Sequence, residues 1–97
     1  EINNPKGKLR RGELYIFVYD SNGRTVAHGA DINRIGNDAL KVQDENGKFF
    51  GKEIMQVDES GGSVDYVWPN PVTGTVQPKT SYISLVDGFR FGCGVYR

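Results

Sequence analysis

The chain is 97 residues long, with twelve basic and twelve acidic side chains and one histidine, so its formal net charge at neutral pH is zero. No field of one sign exists to draw in nucleic acid or an anionic membrane surface, and the length fits one domain over residues 1–97 around one core. A lone Cys93 excludes an internal disulfide and a multi-thiolate metal site, and the absence of any ~18-residue apolar run excludes a membrane-inserted helix in this segment.

Residues 13–19, Glu-Leu-Tyr-Ile-Phe-Val-Tyr, are rich in β-branched and aromatic types and predict a first strand. Asp20-Ser21-Asn22-Gly23 is a turn signal, and Arg24 to His28 returns as the second strand of a hairpin. The polar stretch Asp31 to Gln43, broken by Gly36, reads as short helical turns and loop. Asp44-Glu45-Asn46-Gly47 marks a second turn. After it Phe50, Ile54 and Val57 recur at helical spacing, predicting an amphipathic helix that ends at Gly61-Gly62. Three further strands follow at Ser63 to Trp68, Thr80 to Val86 and Phe89 to Tyr96, with a loop from Pro69 to Lys79. Asp87-Gly88 between two apolar runs is a strong hairpin signal, because a type I′ turn needs positive φ at both central residues. The expected architecture is α+β, a five-stranded antiparallel sheet with short helices on one face.

Catalysis has little material. His28 is the sole histidine, Cys93 reads as a buried inert thiol, and no metalloprotease helix or nucleophile elbow occurs. The acidic turns lack the spacing of a calcium loop. No catalytic residue, metal or cofactor is expected. Gly92-Cys93-Gly94 ends a strand with no helix after it, so its glycines read as points of close approach to the sheet rather than as a phosphate cradle.

The informative feature is aromatic. Alternation puts Tyr15, Phe17 and Tyr19 on one face of the first strand and Tyr66 with Trp68 on one face of the third. With Tyr82 and His28 they define a half-polar surface suited to a small polar ligand, although on pattern alone the core of a small sheet domain accounts for the same rings. Lys79, placed just before the fourth strand, offers an ammonium group to an anion, and as a rim residue it would contribute little to folding.

Tyr15-Ile-Phe-Val-Tyr-Asp20-Ser-Asn-Gly23 running into Ala27-His28 resembles the first hairpin of single Cache domains of the second type. So do Asp44 to Phe50, Val64-Asp-Tyr-Val-Trp-Pro-Asn-Pro71, Pro78-Lys79-Thr-Ser-Tyr82 and Gly92-Cys-Gly-Val-Tyr96. The resemblance implies a PAS-like fold and an extracytoplasmic sensor, periplasmic or extracellular, of the kind found in chemoreceptors and sensor histidine kinases. It also implies a pocket for a short organic acid between sheet and helical segment. On this chain the pocket residues would be Tyr15, Phe17, His28, Tyr66, Trp68, Lys79 and Tyr82. Two departures stand out: Gly29 follows His28 where the family commonly has proline, and the long N-terminal helix usual in such domains is absent or truncated.

Three functions compete. A ligand-binding sensor leads, a freestanding exported protein that engages a protein partner comes second, and an enzyme is third because no nucleophile and base stand at plausible spacing. Strand parity adds one expectation. Leu14, Ile16 and Val18 oppose the aromatic face, Ile83 and Leu85 oppose Tyr82 and Val86, and a sheet apolar on both sides predicts association of two copies through the aliphatic face.

Overall fold

The computed structural model describes residues 14–97 and the backbone of Arg10 and Arg11. Its strands are β1 (Arg10–Arg11), β2 (Leu14–Tyr19), β3 (Thr25–His28), β4 (Gly62–Pro69), β5 (Val76–Val86) and β6 (Phe89–Tyr96), and its helix is α1 (Phe50–Met55). Two single 3-10 turns, Ile32–Arg34 and Ala39–Lys41, occupy the polar stretch before α1. The five expected strands are β2 to β6. The two-residue β1 was not anticipated, and Glu13, read as the start of the first strand, lies outside the described residues.

The strands form one antiparallel sheet in the order β1–β2–β6–β5–β4, with β3 also paired to β2. Asp87 (φ 52°) and Gly88 (φ 82°) close the β5–β6 hairpin with the expected double positive φ, which sets Val86 opposite Phe89. The Asp20 turn is held by its own carboxylate, whose Oδ1 accepts from the N–H groups of Asn22 and Arg24 at 2.9 Å each. Asp44 does the same for Asn46 and Lys48, and its Oδ2 also accepts from Val67 N–H at 3.1 Å, tying this turn to β4. These bonds and the Lys48 ammonium hold the Asp44 carboxyl below its usual range despite desolvation.

One face of the sheet carries the core. Tyr15, Phe17, Tyr19, Val64, Tyr66 and Ile83 pack there against Ala39, Phe50 and Ile54 of the helical segment. The helix is shorter than its spacing predicts. Phe50 and Ile54 do face the core, but after Met55 the backbone closes a tight turn, with Val57 N–H bonded to Ile54 O, and Val57 packs against the core from outside α1. The expected loop Pro69 to Lys79 is also shorter, since β4 runs to Pro69 and β5 starts at Val76. Pro78, expected within that loop, sits in β5 opposite Val67, and its carbonyl accepts from Arg97 N–H at 2.9 Å.

The opposite face differs from its expected composition. Ile83 is buried on the core face and Leu85 follows it in parity, while Tyr82 and Val86 turn outward with Leu14, Phe89, Phe91 and Val95. That outer face is therefore mixed aromatic and aliphatic. Cys93 belongs to it, half-buried across from Ile16 and Tyr82, and is not the buried thiol expected.

Candidate functional site

Lys79 is the side chain most displaced from its expected place. It is neither at a rim nor before a strand: it lies within β5, 1% exposed, on the core face. Its Nζ donates to the Tyr15 hydroxyl at 2.8 Å and lies 4.1, 5.3, 5.5 and 5.6 Å from the ring centres of Tyr15, Tyr96, Phe17 and Tyr66. A cage of ring faces attracts a cation but does not replace a carboxylate, and burial pushes Lys79 down to about 7. Among the described residues no ion pair reaches it.

The neighbouring strand explains how a lysine fits here. A Cβ on Gly94 would lie 2.0 Å from Lys79 Cε, and a Cβ on Gly92 would lie 2.2 Å from Phe17 Cζ. The two glycines of β6 thus leave two grooves in the core face, one filled by the lysine stem and one by a phenyl ring. Close approach was expected at Gly92-Cys93-Gly94; the approaching groups are these side chains.

His28 stands across from Phe17, with its ring 4.9 Å from that of Tyr15. Its Nδ1 accepts from Asp31 N–H at 2.9 Å and from Ala30 N–H at 3.3 Å, so the neutral ring carries its proton on Nε2. Burial first, then the charges of Lys79 and Arg34, push His28 down to about 4. Tyr66 shares a 2.9 Å hydrogen bond with Ser81 Oγ and stacks on Phe50 at 4.2 Å, while Trp68 meets Phe50 edge-on. Burial pushes the Tyr15 and Tyr66 hydroxyls far up, so both remain neutral donors.

A cavity of about 390 Å³ opens between the end of β4, the first 3-10 turn and the Asp44 turn. Tyr15, His28 and Trp68 line it, and Lys79 is not on its wall but is hydrogen-bonded to Tyr15. Phe17 and Tyr66 lie deeper, around an inner void of about 10 Å³. Six of the seven expected residues are therefore gathered on one face. Tyr82 is not: it is 59% exposed on the outer face, because it lies an odd number of positions beyond Lys79 in an extended strand and so points the other way. The sequence reading missed Arg34, whose guanidinium lies 5.0 Å from the centre of the Trp68 ring on the cavity wall. Nothing in its polar surroundings distinguishes it from a solvated arginine. Among the described residues, no group of three His, Cys, Asp or Glu is placed to hold a metal ion.

Comparison with known proteins agrees with this geometry. The sensor histidine kinase MctS of Rhizobium johnstonii (strain DSM 114642 / LMG 32736 / 3841) is 32% identical over 85 residues, 84% of this chain and 18% of that protein. The periplasmic sensor domain of a chemotaxis protein superposes with a TM-score of 0.82 at 29% identity, covering 95% of this chain and 66% of that one. A Cache chemosensory domain whose structure concerns carboxylic acid recognition superposes at 0.81 with 28% identity, covering 94% and 65%. This chain thus spans less than a fifth of the kinase and about two thirds of each solved chain. The family described as Single Cache domain 2 matches residues 2–96, and the chain belongs to that family.

Proposed function

We propose that residues 1–97 act as one extracytoplasmic sensor domain of a signal-transduction protein, binding a short organic acid in the cavity between sheet and helical segment. The observation that carries this reading is Lys79. An ammonium group withdrawn from water costs several kcal/mol unless an anion accompanies it, and here its hydrogen bond goes to Tyr15, a residue that lines the cavity. A ligand carboxylate at Tyr15 would supply the counter-charge. The rings of His28, Tyr15 and Trp68 on the cavity wall would orient and enclose it. Relatives that are a sensor histidine kinase and a periplasmic chemotaxis sensor support the signalling role, and the carboxylic-acid-recognising Cache domain supports the ligand class. No helix among the described residues is long and apolar enough to cross a membrane.

Such a domain works by differential binding, holding one of two conformations more tightly when occupied, and needs no bond-making step. A thermal-shift screen over short organic acids tests the reading. A binding acid at a hundredfold excess over its dissociation constant should stabilise the protein by ~2.7 kcal/mol. No shift with any acid would refute the ligand class.

A further inference from the structure

The outer cavity and the inner void share four residues: Tyr15, His28, Arg34 and Trp68. These form a waist. The void behind it, about 10 Å³, has room for roughly one water, so a ligand entering from the outer side stops at the waist and keeps its bulk in the outer chamber. What the waist offers and what the outer chamber offers then decide different parts of the ligand.

At the waist, Arg34 closes the 3-10 turn Ile32–Arg34, whose start is fixed by the Asp31 carboxylate accepting from Asn33 N–H at 3.0 Å. Its guanidinium rests on the face of Trp68, a geometry that leaves its N–H groups to point outward in their own plane. Among the described residues it forms no ion pair and donates no hydrogen bond, although its charge bears on both His28 and the buried Tyr19. It is a planar fork beside a cavity that Tyr15 also lines, and that shape suits a carboxylate. The outer chamber is the reverse. Apart from the waist residues Tyr15, His28 and Arg34, its ionisable lining is Asp31, Asp44 and Glu45, joined by the amide of Gln43. Asp44 is committed to three backbone N–H groups, which leaves Glu45, Gln43 and the Asp31 oxygen that does not cap the 3-10 turn as acceptors.

We propose that Arg34 receives the ligand carboxylate at the waist, and that the outer chamber selects acids bearing a hydrogen-bond donor, a hydroxyl or an ammonium group, over plain and doubly anionic acids. This rests on the carboxylate reading above. A second carboxylate in the outer chamber would meet Asp31 and Glu45, whereas a donor finds acceptors there.

The test is titration calorimetry of the protein with propionate, 2-hydroxypropionate, 2-aminopropionate and malonate. At least one donor-bearing acid should bind about tenfold more tightly than propionate, and malonate should bind most weakly. Arg34→Gln should weaken every acid by about tenfold or more, while Glu45→Gln should reduce only the preference for the donor-bearing acids. If Arg34→Gln proves unstable, Arg34→Lys keeps the charge but loses the fork, and a loss of about fivefold is then expected. Affinities within about threefold of the unmodified protein for the Arg34 variants would overturn the anchor, and malonate binding as tightly as the hydroxy acid would overturn the selection. If the unmodified protein binds none of the four acids, the carboxylate reading itself falls; if it binds them and Arg34 is indifferent, only this inference does.

Discussion

Lys79 and His28 are both held away from their ordinary protonation, and each leaves a signature in the pH dependence of stability. Lys79 is pushed down to about 7 in the folded chain against 10.5 when exposed, so between these values the unfolded chain binds the additional proton. Unfolding free energy therefore rises with pH in that window, by at most ~1.4 kcal/mol per pH unit. Chemical denaturation at pH 7, 8 and 9 should show the rise, and Lys79→Met should flatten it; an unchanged slope would mean that the lysine keeps its proton. His28 acts on the acid side. Its folded value near 4 lies below the ordinary 6.5, so its contribution is present above pH 6.5 and is lost as pH falls toward 4. His28→Gln should remove that loss. The identity of these groups was legible in the sequence, but their depth was not. Lys79 is buried because Gly94, fifteen positions later, leaves space for its stem, and no local pattern reports that. Arg34 was invisible for the complementary reason: its significance comes from Trp68, on a distant strand.

Among the elements, β6 is the one whose sequence depends most on its neighbours. An alanine at Gly94 would drive its Cβ into Lys79 Cε and to 2.8 Å from Ser81 Oγ, so the buried lysine stem would have to shift. Gly94→Ala should destabilise the protein by ~1–3 kcal/mol, the usual range for overpacking. Combined with Lys79→Ala it should cost less than the sum of the single changes, because the shortened side chain vacates the groove. Strict additivity in a double-mutant cycle would show that the groove is not what makes Gly94 necessary. The turns were the most legible elements, since Asp20, Asp44 and Asp87-Gly88 act through chemistry contained within a few residues. Strand ends were less so. Pro78 stays in β5 because its cross-strand partners outweigh one missing donor, and α1 stops early because the turn after Met55 still delivers Val57 to the core.

For the molecule as a whole, the face away from the cavity is an exposed apolar surface. Leu14, Tyr82, Val86, Phe89, Phe91 and Val95 are each 41–59% exposed there, which is much for a chain of zero net charge. We propose that two copies cover these faces in solution. Sedimentation velocity should show concentration-dependent association that Phe91→Lys reduces, and a monomer at high concentration would refute it. The sequence showed that both faces are apolar, but it assigned Ile83 and Leu85 to the wrong one, because parity within one strand does not fix its phase against the next. Strand order carries a last consequence. The final strand, β6, lies between β2 and β5, so the first hairpin and the β4–β5 pair have no ladder joining them until residues 89–96 arrive. When the chain is delivered from its N-terminus, the sheet therefore cannot be completed before the eight residues of β6 are in place, however early its two outer parts pair within themselves.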